Sequence, residues 1–289
     1  MRLIALIVLL VLPSQAARRH LRKKPAGPPA ARAEDDPRKG GGSPAFAKAA
    51  IRFTAPADAG QLDEGAAVRV ELAVTGYALG PLKPGGPVPH AHLIVDNEPA
   101  LEIDDLSLPF ALSGLSRGPH LLRAVLCRPW HEVVKAPRAF AMARFWIGPK
   151  LPGKAGKAAE FVAWPDPRKP ILTYVLPIGG PPSAGLHLER LPRPEDPTEA
   201  KELDPPPPAP GPDRPVLDFY LANARLARRG DKLRIVLDRR ELPLITEWKP
   251  QHLRRARHGA HRVTVDLLNR KGLKVNNAVN RTDRLFTAK

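Results

Sequence analysis

A two-strand stretch occurs twice in the chain and limits the folds that the chain can adopt. Residues 117–148 read RGPHLLRAVLCRPWHEVVKAPRAFAMARFWIG, and residues 257–288 are a weaker copy of them. Four positions match at the single offset of 141, with Gly118, His120, Val134 and Phe145 corresponding to Gly259, His261, Val275 and Phe286. An offset that is constant through two strands and the loop between them indicates a duplicated unit.

The alternation of side chains predicts strands in both units. Apolar and polar residues alternate over residues 68–75 and again over residues 232–238, which is typical of half-buried strands. About seven short strands with turns between them favour an immunoglobulin-like or fibronectin-like sandwich. The prediction is an all-β chain of two tandem β-sandwiches, at residues 47–148 and 171–289.

Two segments rich in Pro interrupt this pattern. Residues 149–170 are rich in Pro, Gly and Lys and are predicted to be a linker. Trp164, which lies within them, is a candidate to pin this linker to one domain. Residues 181–215 fall inside the first loop of the second sandwich and include four consecutive prolines. We interpret them as an extended, polyproline-like insertion, which is either a solvated spacer or a ligand for a groove.

The amino terminus has the composition of a targeting signal. Arg2 precedes ten apolar residues, a proline and a small-residue end, so residues 1–17 are predicted to be a secretory signal peptide. Residues 18–46 are basic, rich in Pro, Gly and Ala, and are predicted to form a disordered arm. No later stretch approaches the ~20 apolar residues of a membrane helix. The expected locations are therefore periplasmic, envelope-associated or extracellular.

The charge balance indicates possible partners. The chain has 46 Lys and Arg against 29 Asp and Glu, a formal net charge of +17. Outside the cytoplasm this favours an anionic cell-envelope polymer or another envelope protein, the alternative being a solvated basic surface with no dedicated partner. Basic runs interleaved with aromatic residues are lacking, so no specific nucleic-acid partner is expected.

The histidines fall into two groups. His120 and His261 share the inward faces of matching strands, where a core-edge histidine held by a backbone carbonyl is expected. His90, His92 and Asp96 share the outer face of one strand, which makes them a candidate metal site. His131 is a more distant candidate for it. The alternative is a solvated sheet face, and no other cofactor is predicted.

Two further features have structural interpretations as well as functional ones. The only cysteine, Cys127, excludes an intramolecular disulfide and is expected to be buried. An apolar outer face is predicted for the last strand of the first unit, and it forms a candidate binding patch with one nearby tryptophan: Phe140, Met142, Trp146 and Trp130. Packing of this face against the second domain or the linker is the alternative.

The segments HAHLIVDNEP and GPHLLRAVLCRPWHEVVKAPRAFAMARFWIG together carry a resemblance. The chain resembles a family of uncharacterised exported bacterial proteins with Ig-like domains, in which an HxHLxVD strand precedes a GxHxLR strand. The resemblance implies a β-sandwich and no established activity. Since catalytic motifs are also lacking, we expect a non-enzymatic binding or structural protein of the cell envelope. A periplasmic metal-binding protein that uses His90 and His92 is the alternative.

Overall fold

The computed structural model describes residues 46–81, 86, 88–180, 185–192 and 215–288. The predicted signal peptide, almost all of the predicted basic arm and most of the Pro-rich insertion lie outside these residues. The predicted all-β class is confirmed, because the described chain consists of β-strands with a single α-helix. No helix in the described ranges is long and apolar enough to cross a membrane.

The first half of the chain, residues 46–148, contains eight strands within the described residues. They are β1 (Ala50–Ala55), β2 (Gly60–Leu62), β3 (Val68–Thr75), β4 (His90–Val95), β5 (Leu101–Ile103), β6 (Phe110–Ser113), β7 (Gly118–Cys127) and β8 (Phe140–Ile147). The alternation expected for β3 is observed, since Val68 and Val70 are buried and Arg69 is exposed.

Two sheets enclose the core of this half. One has the order β2-β8-β7-β4-β5, and the other contains β1, β3 and β6. Side chains from both sheets, such as Leu93 and Phe145 from the first and Val70 and Leu112 from the second, belong to one buried cluster. This is a β-sandwich, in which the apolar faces of two sheets are buried against each other.

The second half, residues 171–288, contains a similar set of strands. They are β9 (Ile171–Leu176), β10 (His187–Arg190), β11 (Val216–Ala222), β12 (Lys232–Leu237), β13 (Arg240–Glu241), β14 (Gln251–His252), β15 (Gly259–Leu268) and β16 (Arg281–Ala288). The sheets β14-β11-β9 and β13-β12-β15-β16 enclose a second buried cluster that includes Phe219, Ile235 and Val265.

The pairing registers of the two halves correspond. His90 lies opposite Cys127 and His92 opposite Val125 in the β4–β7 pair. Lys232 lies opposite Leu268 and Arg234 opposite Asp266 in the β12–β15 pair. Because Cys127 and Leu268 are related by the sequence offset, these pairs occupy matching places. Matching registers are what a duplication would produce, and the duplication and the domain boundaries stay predictions.

Part of the Pro-rich insertion differs from the predicted spacer. Residues 187–190 form β10, which pairs antiparallel with β6 and joins the sheet of the first half as β1-β3-β6-β10. Leu188 is buried in the first core. Strand β6 otherwise has an unpaired edge, and the insertion covers it.

The predicted linker also contains a regular element. Helix α1 spans Gly153–Ala163, a segment rich in the strong helix formers Ala and Lys. It lies on β7 and β8, where Trp146 Nε1 donates to Glu160 Oε1 at 2.9 Å. Trp164 Nε1 donates to the carbonyl of His120 at 2.9 Å, so Trp164 pins the linker to the first half.

Buried contacts of Lys135, Val133 and Ala136 with Asp218 and Tyr220 join the two halves, and we call this interface the seam. The ammonium of Lys135 lies 3.0 Å from Asp218, and both side chains are almost fully buried. The backbone N–H of Val133 also donates to Asp218 at 2.8 Å, and Tyr220 donates to the carbonyl of Ala136 at 2.7 Å. These contacts place the residues that follow His131 in the chain directly against the second half.

Candidate metal centre

His90 and His92 lie at alternate positions of β4, and their side chains share one face of the strand. This face points away from the core, which instead takes up the alternate residues Ala91, Leu93 and Val95. It is not a solvated face, however, because His90 is 2% exposed and His92 is fully buried. The loop that follows β7 folds over them. Its His131 ring lies 4.7 Å from the His90 ring and 5.4 Å from the His92 ring, measured between centroids.

The loop at residues 128–132 holds His131 in an uncommon backbone conformation. Cys127 and Val133 pair across the base of the loop, and the N–H of Arg128 donates to the carbonyl of Glu132 at 2.8 Å. His131 has a φ of +62°, in the left-handed region. For a non-glycine residue this conformation costs about 1 kcal/mol or more.

Glu102 on β5 supplies the fourth polar group. Strand β5 pairs antiparallel with β4, and Glu102 lies directly opposite His92 in the register. Its Oε1 is 3.2 Å from Nδ1 of His131. Sequence reasoning missed Glu102, because a three-residue strand after a turn gave no alternation pattern to place it.

The four ligand atoms converge on one point. His90 Nε2 lies 3.1 Å from His92 Nε2, which lies 3.2 Å from His131 Nδ1. All four candidate ligand atoms, from His90, His92, His131 and Glu102, lie within 4.8 Å of one another. Ligands at the usual zinc–nitrogen distance of about 2.0–2.1 Å are separated by about 3.3 Å in a tetrahedral site. The measured nitrogen separations are close to that spacing.

The hydrogen bonds leave nitrogen lone pairs facing one another. Nδ1 of His90 lies 2.9 Å from the carbonyl of Val88, to which it must donate, so Nε2 of the neutral ring carries a lone pair. Among the described residues, none hydrogen-bonds Nδ1 of His92. A proton on His92 Nε2 can satisfy only one of its two neighbouring nitrogens. A metal ion at the centre satisfies all three.

Burial sets the protonation states of these groups. Desolvation, joined by repulsion from the neighbouring rings, holds the pKa of His92 well below its usual value and lowers that of His131 to about 4. Desolvation also lowers the pKa of His90. Near neutral pH all three rings are therefore neutral, which is the form that binds metals.

Glu102 responds to burial in the opposite direction. Desolvation, followed by the nearby charge of Asp104, raises its pKa to about 7. A cation bound beside the carboxylate would favour its ionised form and reverse this shift. Metal binding at neutral pH would therefore release a proton from part of the Glu102 population.

Asp96 does not belong to this cluster, which corrects the predicted ligand set. Its Oδ2 lies 2.9 Å from Nδ1 of His120, and its Oδ1 accepts from the N–H of Leu121 at 2.8 Å. His120 Nε2 lies 2.7 Å from the carbonyl of Ser116. Asp96 begins the turn after β4 with a φ of +51°, which directs its side chain to β7.

The second half repeats this arrangement of a histidine between an aspartate and a backbone carbonyl, which we call the histidine–aspartate clamp. His261 Nδ1 lies 2.7 Å from Asp238, and its Nε2 lies 2.7 Å from the carbonyl of Arg257. The carbonyl partner expected for both histidines is therefore present. The aspartate partner was not foreseen, because it comes from a turn that the strand pattern does not describe.

The residues of the predicted binding patch do not form one exposed surface. Trp146 is 1% exposed beneath α1, and the Phe140 ring stacks on Tyr220 of the second half with centroids 5.1 Å apart. Met142 is half-buried, and Trp130 alone is exposed, where it donates to Glu132 at 2.9 Å. Packing against the second half and the linker helix accounts for Phe140 and Trp146.

No protein-family model and no curated protein matches the chain. Among solved structures, the chain is similar to the fibronectin(III)-like modules of CbhA from Clostridium thermocellum, with 8% sequence identity, a TM-score of 0.26, and coverage of 83% of this chain and 94% of that one. It is also similar to SGBP-B of the Bacteroides ovatus mixed-linkage glucan utilization locus, solved with a mixed-linkage heptasaccharide, with 13% identity, a TM-score of 0.19, and coverage of 83% and 70%. Similarity at this level carries no functional information.

Proposed function

We propose that the protein is an exported, non-enzymatic binding protein whose first half holds one divalent transition-metal ion. The ligands are the imidazoles of His90, His92 and His131 and the carboxylate of Glu102. The observation that carries this proposal is the convergence of three neutral imidazole nitrogens, since His90 already donates its one proton to Val88. Without a cation, a proton on His92 Nε2 can reach only one of its two neighbouring nitrogens, so the three nitrogens cannot all be satisfied by hydrogen bonds among themselves.

The chemistry of the four ligands limits which metal ions the site can bind. Nitrogen and carboxylate donors suit Zn(II) or Cu(II), whereas Cu(I) prefers thiolate and thioether sulfur. Cys127 immediately precedes the loop that carries His131, but desolvation raises the pKa of its thiol well above its usual value and keeps the thiol inert. Four protein ligands also fill a tetrahedral ion, which is the pattern of a structural or storage site rather than of a catalytic one.

The test is metal binding by the purified protein near neutral pH. We expect one equivalent of Zn(II) or Cu(II) by calorimetry and a rise in melting temperature, which corresponds to about 2.7 kcal/mol at a free metal concentration of 100 Kd. Mg(II), which prefers oxygen ligands, should produce no shift. His92→Ala and Glu102→Gln should weaken binding strongly.

The second half offers a matched control for these variants. Lys232 and Arg234 occupy the places of His90 and His92 in the β12–β15 pair, and Arg234 there pairs with Asp266 at 2.6 Å. Lys232→Ala should leave metal binding unchanged. Equal binding by the unmutated protein and His92→Ala, or no binding by either, would refute the site.

We further propose that the exported protein associates with the cell envelope through its positive charge. The sequence signal, the net charge of +17 and the resemblance to exported bacterial proteins support this role. Salt screens such attraction over about 8 Å at physiological ionic strength, so release from an envelope fraction should follow salt concentration. A chain that starts at Ala47 and lacks the basic arm should elute at lower salt than the longer chain. Free solubility of both chains in every fraction would exclude this role.

A further inference from the structure

A basic cleft of about 590 Å³ lies between two loops of the second half. Its lining includes four cations and one carboxylate, namely Arg225, Arg229, Arg270, Lys271 and Asp231. This volume is within the ~300–1,000 Å³ of typical ligand sites. The excess of cations indicates a ligand with several negative charges.

Both loops are held by their own hydrogen bonds, which fix the backbone that carries the cations. In the first loop the N–H of Arg225 donates to the Asp231 carboxylate at 3.2 Å, and the N–H of Asp231 donates to the carbonyl of Arg225 at 3.1 Å. In the second, Asn269 Oδ1 accepts from the N–H of Lys271 at 2.9 Å. The one acidic group of the cleft is thus partly engaged by the backbone.

The four cations differ from other arginines of the second half. Arg234 and Arg281 bind Asp266, and Arg262 binds Asp283. By contrast, within the described part of the chain no ion pair involves any of the four cleft cations. Four cations that share a cleft with a single carboxylate produce a positive potential that concentrates anions.

The second loop of the cleft corresponds to the loop that carries His131. Leu268 and Lys274 pair across its base, as Cys127 and Val133 do in the first half. In the first half this loop brings an imidazole to the metal cluster, and in the second half it brings Arg270 and Lys271 to the cleft. The same structural position thus carries different binding chemistry in the two halves.

We propose that this cleft binds an acidic glycan through its carboxylate or sulfate groups. Guanidinium groups pair with such oxyanions through two parallel hydrogen bonds. The residues that line the cleft include no aromatic ring for base stacking and no large apolar side chain for insertion into lipid. This inference rests on the proposed envelope role, to which it adds the chemical class of the anionic partner, and it is independent of the metal site.

The experiment measures binding of the purified protein to a heparin octasaccharide and to an oligogalacturonate at physiological salt. These probes separate sulfate from carboxylate recognition. Arg225→Ala/Arg270→Ala removes two cations from the cleft. The matched control, Arg254→Ala/Arg255→Ala, removes two exposed arginines that do not line it. We expect binding to at least one probe to weaken about tenfold or more in the cleft variant and about twofold or less in the control.

Equal weakening in the two variants would overturn the proposal, because it would show attraction to net charge alone. Binding of a single-stranded DNA of equal charge, with equal affinity and the same sensitivity to the cleft variant, would overturn the assignment to a glycan. Salt elution of the chain that starts at Ala47 tests the envelope role apart from the cleft, because this chain lacks the basic arm and keeps the cleft. If elution depends on the arm while the cleft variant binds normally, the envelope role survives and the cleft proposal fails.

Discussion

His131 and Gly272 occupy the same place in the two halves, and both have a left-handed backbone. Their φ angles are +62° and +78°. Each N–H donates to the carbonyl of the first residue of its loop, at 2.8 Å to Arg128 and at 2.9 Å to Asn269. Glycine adopts this conformation without strain and histidine does not. The first half therefore has a less favourable backbone conformation at the position where the histidine side chain joins the proposed metal site.

The first prediction is that His131→Gly separates stability from binding. Relief of the left-handed strain should raise the metal-free unfolding free energy by about 1 kcal/mol. The same change should remove the metal-induced rise in melting temperature, because one ligand is lost. Gly272→His is the reciprocal control, which should lose about 1 kcal/mol and keep the metal response. A full metal response in His131→Gly would contradict the assignment of His131.

The second prediction concerns pH and the two histidine–aspartate clamps. Desolvation opposes protonation of His120, but the hydrogen bond and charge of Asp96 outweigh it and raise the pKa of His120. The hydrogen bond to Asp238 is the main cause that raises the pKa of His261. A raised pKa in the folded state stabilises the protein below the unfolded value of about 6.5, and this contribution is lost as pH rises through the folded pKa.

The measurement is the melting temperature as a function of pH in a metal-free buffer. Since the metal-site histidines also titrate, the unmutated protein is compared with Asp96→Asn/Asp238→Asn at each pH. We expect the stability advantage of the unmutated protein to be largest below about pH 6.5 and to decrease above it. An advantage that increases with pH would show that the clamps do not favour protonated histidine.

The third prediction is that Asp218→Asn weakens the seam between the halves. Asp218 is fully buried and its carboxylate compensates the buried ammonium of Lys135, whose other acidic neighbour, Glu132, is 3.7 Å away. Removal of one partner of a buried pair costs about 3 kcal/mol. Urea unfolding should report this loss. Asp283→Asn breaks the more exposed pair with Arg262 and should cost less than about 1 kcal/mol.

The fourth prediction tests the role of the Pro-rich insertion. Leu188 on β10 is 8% exposed and packs in the first core. Leu188→Ala should therefore cost about 2 kcal/mol of unfolding free energy. His187→Ala, at an exposed position of the same strand, should cost less than about 0.5 kcal/mol. Equal and small effects of the two changes would restore the interpretation of the whole insertion as a solvated spacer.

Much of the local structure was predictable from the sequence because strands have a period of two. The alternation in β3 and β12 and the common face of His90 and His92 all follow from that period. The constant offset between the two copies likewise predicted the matching His120 and His261 positions. The alternation is a local property, which depends on the chain within a few residues of each position, and the offset compares two such local patterns.

Only the tertiary structure shows which groups meet at the candidate metal site. The strand order β7-β4-β5 places Glu102 opposite His92, and the loop after β7 folds back to place His131 over both histidines. The turn after β4 directs Asp96 away to His120. Period two assigns a side chain to one of two faces, but it does not determine what covers that face. The strands and the His90–His92 pair thus follow from the local pattern of residues, whereas the packing of β5 and of the His131 loop brings Glu102 and His131 to that pair.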